Sequence, residues 1–238
     1  IALPAVVAGV VVVNNIAFAA VGGAGLYAVD VSVPTAPAIV GFFDTDGAAS
    51  GVAVFDGTAY VANEYTLQIF DVTNPAAIVR LGEFDTAGPA RRVVAGRIGS
   101  KRYAFVAESF RSDSALRAID VTAPNAAVEV ATVPADGNAG IIDVKLVGTT
   151  LFASDREGRV KIFDASNPAN LVLIGSRGGV GGSFIDVVGN RLYACIGGLK
   201  IVDLSVTPDL PILGGFGIGS SCYDLVVAND LAFVAMGR

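Results

Sequence analysis

The chain has 238 residues, 53% of them hydrophobic and 16% charged, with a net charge of −6. It contains no histidine, which excludes Ser-His-Asp and Cys-His catalysis and removes the commonest general base and metal ligand together. The acidic balance, with no basic run beyond Arg91–Arg92, argues against a nucleic-acid partner, and no unbroken apolar stretch of about 18 residues argues for membrane insertion.

The first thirteen residues, IALPAVVAGVVVV, have the apolarity of a signal-peptide core but no positive flank, and they read as part of the fold. Residues 3–7 match the later segment 36–40, so this stretch is either an outer strand or an arm leading into the first inner strand. The first unit, residues 8–50, predicts a hairpin turned by Asn14–Asn15, then the phrases AFAA (17–20) and LYAVD (26–30), then a fourth run at 37–43. Its closing Asp44-Thr45-Asp46-Gly47 matches the start of a calcium loop but lacks the further oxygen donor and distant Glu.

The second unit, 51–90, repeats the pattern with a turn at Asp56–Gly57, AYVA (59–62), LQIFD (67–71) and a run at 76–84. The third, 91–140, carries AFVA (104–107) and LRAID (116–120), and departs most from the others. It has the longest turn and the longest loop between the two phrases, residues 108–114. Arg91, Arg92, Phe110, Arg111 and Asp113, with Arg156 in the matching loop of the next unit, form a candidate ligand-contact surface, because arginines beside an exposed Phe are typical interface anchors. The bland alternative is a solvated insertion.

The fourth unit, 141–183, has LFAS (151–154) and VKIFD (160–164). The fifth, 184–222, has LYAC (192–195) and LKIVD (199–203). The sixth, 223–238, reaches AFVA (232–235) and stops. Asp143, Asp186 and Asp224 stand where the inner strands of these three units begin. They read either as a carboxylate cluster for a cation such as Ca2+, the one cofactor contemplated, or as structural groups bonded to their own loops. Cys195 and Cys222 fall at strand ends in adjacent units, where buried free thiols and a disulfide are both open. Without CxxC spacing, structural zinc is not expected.

The third-strand Asp residues, 30, 71, 120, 164 and 203, recur 39 to 49 residues apart, each followed by a Ser/Thr turn and a proline. The second-strand aromatics at 18, 60, 105, 152, 193 and 233 keep similar spacing. Four short strands per repeat of this length predict an all-β fold, a β-propeller of four-stranded antiparallel blades in one domain, 1–238. Six blades with the last incomplete is the expected count. Five complete blades, or a piece of a longer propeller, are the alternatives.

These phrases resemble the LVIVD-repeat family, named for the third-strand phrase, over essentially the whole chain. The resemblance implies a propeller of the type found in exported and surface-attached prokaryotic proteins, and therefore a secreted, periplasmic or cell-surface location. It supplies no catalytic residues. The expected role is non-catalytic: a binding or scaffold module with a protein or glycan partner. The alternative is a propeller-fold lyase or hydrolase that uses carboxylates and a divalent metal in the central channel.

Overall fold

Asn14 and Asn15 both adopt positive φ, 49° and 63°, as do Asp56 and Gly57 (48° and 70°) and Asn229 and Asp230 (50° and 63°). Two consecutive positive-φ residues make the hairpin turn whose twist matches that of its strands, so Asn, Asp and Gly at these pairs set the register of each first hairpin. In this computed structural model, residues 1–109, 114–136, 139–180, 184–195, 198–217 and 222–236 are described.

The chain divides into two compact units, Ile1–Glu108 with Arg117–Thr132, and Ser109–Leu116 with Val133–Arg238. In the first unit, β1 (Gly9–Val13), β2 (Ile16–Ala20), β3 (Leu26–Asp30) and β4 (Ala38–Phe43) form one antiparallel sheet in chain order. A second sheet follows from β5 (Ala49–Phe55), β6 (Thr58–Asn63), β7 (Thr66–Asp71) and β8 (Val79–Asp85). The third, drawn mainly from this unit, comprises β9 (Ala90–Ile98), β10 (Lys101–Glu108), β11 (Ala115–Asp120) and β12 (Val128–Pro134). In the second unit, β13 (Ile141–Val147), β14 (Thr150–Asp155), β15 (Val160–Asp164) and β16 (Val172–Arg177) form the fourth sheet. The fifth holds β17 (Phe184–Val188), β18 (Arg191–Cys195), β19 (Gly198–Asp203) and β20 (Ile212–Gly217). Among the described residues the sixth is the two-stranded pair β21 (Cys222–Ala228) and β22 (Leu231–Met236). The fold is thus an all-β propeller of four-stranded antiparallel blades with an incomplete sixth. Residues 1–8 form no outer strand; they lead into β1 as an arm, with the Ala8 N–H bonded to the Ala20 carbonyl.

Successive inner strands lie side by side, β1 against β5 and β5 against β9, and in the second unit β13 against β17 and β17 against β21. The two middle strands of a blade are therefore covered on both faces. Every residue of β6 is buried, whereas the outer strand β8 is largely exposed. The second-strand aromatic and third-strand leucine fill these interlayers: Phe18, Leu26, Val61 and Phe70 between the first two blades, and Tyr60, Leu67, Val93, Val106 and Ile119 between the second and third. In the second unit Phe152, Ile162, Ile185, Leu192 and Val202 do the same. Burial on both faces explains why these strands read as near-continuous apolar runs.

The conserved-looking Asp of each third strand serves its turn. Asp30, Asp71, Asp120, Asp164 and Asp203 each accept the backbone N–H two residues on, at 2.8–3.0 Å. The turn then meets the preceding blade. A Cβ on Gly41 of β4 would lie 2.0 Å from the Pro75 carbonyl oxygen, and one on Gly82 of β8 would lie 1.9 Å from that of Pro124. Glycine at both outer-strand positions lets the next blade's proline turn close against the backbone.

Candidate functional site

Among the sequence-predicted residues, the inner-strand carboxylates have the clearest geometry. Asp143, Asp186 and Asp224 each accept the N–H of the following residue through Oδ1, from Val144, Val187 and Leu225 at 2.9–3.0 Å. Their reach goes past their own loops, however. Asp143 Oδ2 accepts the Ile185 N–H at 3.0 Å, and Asp186 Oδ2 accepts the Val227 N–H at 2.7 Å, each in the next blade. Asp186 also faces Lys145 Nζ at 3.7 Å. Among the described residues, no three His, Cys, Asp or Glu side chains come together in one group. Asp143 and Asp186 thus join neighbouring inner strands, while Asp224 holds the N–H of Leu225.

The candidate contact surface of the third unit is only partly in view, since Phe110, Arg111 and Asp113 lie outside the described residues. Arg92 is half-buried, its Nη1 donating to the Ala8 carbonyl at 2.9 Å and the Ser50 carbonyl at 2.8 Å, so it ties the amino-terminal arm to the second blade. Arg91 is exposed beside it. In the second unit, exposed Arg156 donates through Nε to Ser109 Oγ at 3.2 Å. Cys195 and Cys222 are joined in a disulfide with Cα atoms 6.0 Å apart, which links the fifth blade to the sixth hairpin.

Sequence reasoning missed a recurring polar position at the loop ends of the middle strands. The second strand ends on a buried polar residue in three successive blades: Asn63, Glu108 and Asp155. Their partners differ: Thr45 for Asn63, Arg117 of the third strand for Glu108, and the turn at residues 157–159 for Asp155. Asp155 holds the N–H groups of Glu157 and Arg159 through Oδ1, and the Arg159 Nε at 2.9 Å through Oδ2. Glu108 is fully buried, and burial pushes its carboxyl up; Arg117 opposes this by donating Nε to it while pairing Nη1 with Glu129. Lys161 donates to Asp136 and, with that hydrogen bond as the leading cause, holds the Asp136 carboxyl below the usual carboxylate range. Gln68, Arg117 and Lys161 all occupy the second letter of the third-strand phrase. The signal was present: a long polar residue recurs inside an otherwise apolar phrase.

In the second blade these polar positions are amides, and they line a pocket of about 280 Å³. Asn63 Nδ2 donates to the Thr45 carbonyl at 2.9 Å, and Asn63 Oδ1 accepts from the Thr45 hydroxyl at 2.9 Å. Gln68 Nε2 donates to the same carbonyl and to Glu83 Oε2, both at 3.0 Å. Because both neighbours are acceptors, the Gln68 amide has one orientation. Its Oε1 is left buried with no hydrogen-bond partner. Arg80, paired with Glu83, and the exposed Tyr65 complete the rim. Backbone bonds fix the loop: the Glu64 carbonyl accepts the Ala90 N–H at 2.6 Å and the Tyr65 carbonyl the Thr86 N–H at 2.7 Å.

The LVIVD-repeat family model matches residues 6–45, 46–86 and 136–177, together just over half of the chain. The chain belongs to the LVIVD-repeat family. The three matched LVIVD repeats cover the first, second and fourth blades, and the unmatched third is the one with the extended loop. No curated protein matches the chain. Among solved structures, this LVIVD-repeat chain is similar to a protein from Lactobacillus plantarum, at TM-score 0.75 and 10% identity over 94% of this chain and 74% of that one. It is similar to a functionally unknown protein from Desulfotomaculum acetoxidans, at TM-score 0.74 and 13% identity over 93% and 73%. BamB from Moraxella catarrhalis aligns at TM-score 0.62 and 15% identity over 94% and 67%. At these identities the likeness shows the fold alone.

Proposed function

We propose that this LVIVD-repeat chain is a non-catalytic binding or scaffold module of an exported or cell-surface protein, and that it takes a protein or glycan partner through the loops at the ends of its middle strands. The observation that carries the reading is the contrast between the polar positions of the different blades. The charged groups at Glu108, Asp155 and Lys161 are neutralised by neighbours within the fold, while the second blade presents a preformed polar pocket with an unpaired acceptor on Gln68. Loops held by a rigid β scaffold are the ordinary place for recognition.

The test is capture by immobilised chain on glycan and peptide arrays, in parallel with Tyr65→Ala and Arg156→Ala variants that report on two different blades. Retention of a glycan or peptide class, weakened by at least one variant, is the expected result. Retention of nothing on either array, or retention indifferent to both variants, would remove the reading.

A further inference from the structure

We infer that the second-blade pocket is a binding site for a single neutral, hydroxyl-rich unit, a sugar ring; this rests on the binding reading above and names its ligand class. Four observations lead there. First, Gln68 lines the pocket at 2% exposure, and its Oε1 is buried with no hydrogen-bond partner, an unmet acceptor beside the pocket. Second, the wall is polar and mixed in sign. Asp46, Glu64 and Glu83 set carboxylates against an anionic ligand, and Arg80 is already paired with Glu83, so the wall offers a ligand mainly hydrogen-bond acceptors. A neutral group that both donates and accepts fits such a wall, and vicinal hydroxyls are that group. Third, Tyr65 is 54% exposed at the rim, an aromatic ring of the kind that packs on the C–H face of a sugar. Fourth, a volume of about 280 Å³ lies at the small end of ligand pockets, the size of one ring rather than a chain.

The pocket is also built in advance. Asn63 and Gln68 converge on the one carbonyl of Thr45, and Glu64 and Tyr65 are pinned by backbone bonds to Ala90 and Thr86. Little ordering cost then falls on the binding step.

The experiment is an NMR titration of isotope-labelled chain with three separate probes: methyl glycosides of the common hexoses, n-butylammonium and acetate. The expected result is saturable shifts of the Gln68 side-chain amide and the Glu64–Thr66 backbone amides with at least one glycoside, at a dissociation constant on the order of 1 mM. Tyr65→Ala, a surface change that leaves the core intact, is expected to weaken it about tenfold. Gln68→Met, which removes the acceptor at similar length, is expected to abolish it. Shifts with butylammonium or acetate but no glycoside would overturn the inference and leave the binding module standing with a charged ligand. Pocket resonances unmoved by every probe would overturn it too, and array capture would then decide the broader reading separately. A glycoside response unaltered in Tyr65→Ala would place the sugar elsewhere and count against this pocket.

Discussion

The Asp143 carboxylate accepts the backbone N–H of Ile185 at 3.0 Å, across 42 residues of sequence and one blade boundary. Asp186 repeats the contact to Val227 at 2.7 Å, 41 residues on. Inner strands of adjacent blades share no sheet ladder, so their edges carry backbone donors that need partners. A side chain from the preceding strand supplies one.

Removing that acceptor leaves a buried N–H unpaired. Asp143→Ala is expected to cost about 1–3 kcal/mol, read as a lower urea midpoint at unchanged slope. Amide exchange at Ile185 should speed up more than at Leu192, which sits in the same blade. Uniform acceleration across the blade would show that the contact has no local role.

The five turn carboxylates give the acid limb a sign. Hydrogen bonds from Ser32, Thr73, Ser166 and Ser205 hold Asp30, Asp71, Asp164 and Asp203 below 3.8; at Asp120 burial pushes upward but is outweighed by Lys101 and Thr122. A lowered folded-state pKa stabilises the fold while the group is ionised, so the contribution is present above the unfolded value and lost as pH falls through the folded one. Glu108, pushed up by burial, works in the opposite sense and loses its contribution as pH rises. Thermal midpoints should therefore drop on acidification below about pH 4, and Asn at all five Asp positions should flatten that limb. An unchanged limb in the fivefold variant would remove these turns from the account.

Gly82→Ala tests how blades abut. Its Cβ would fall 1.9 Å from the Pro124 carbonyl oxygen, a backbone atom that cannot swing aside. A loss of about 1–3 kcal/mol is expected, of the size seen for overpacking. Gly214→Ala, in the outer strand β20 with nothing within 4 Å, is the control that should fold with little change.

The disulfide predicts no free thiol on titration of denatured, unreduced protein. Opening it should destabilise the second unit by roughly 3 kcal/mol, the scale for a closed loop of this kind, with exchange rising first in β21 and β22. Two free thiols before reduction would contradict the bond between Cys195 and Cys222.

The propeller was legible because its phrases are fixed by burial: the aromatic of strand two recurs in every complete blade, and the strand-three phrase opens on a leucine, or on Val160 in the fourth blade, that faces a packed layer. The Asp turns were legible because donor and acceptor lie two residues apart. The Asp143–Ile185 contact was not, since a backbone N–H leaves no mark in the side-chain sequence. Gln68 was passed over for a different reason. Reading the phrase by its apolar letters hides the polar one, and Arg91 and Arg92 drew attention by charge although Arg92 is committed to two carbonyls.

That polar letter behaves like a variable character in a fixed word. Across five blades it is Tyr27, stacked on Phe42, then Gln68, Arg117 and Lys161, each bonded to a carboxylate, and Lys200, which donates to the Gly179 carbonyl. The letters around it are held by packing and cannot drift far, whereas this one can be respelled. A single codon therefore changes the polar side chain of one blade while the strands beneath keep their register, and the chemistry at this position can diversify blade by blade on an unchanged frame.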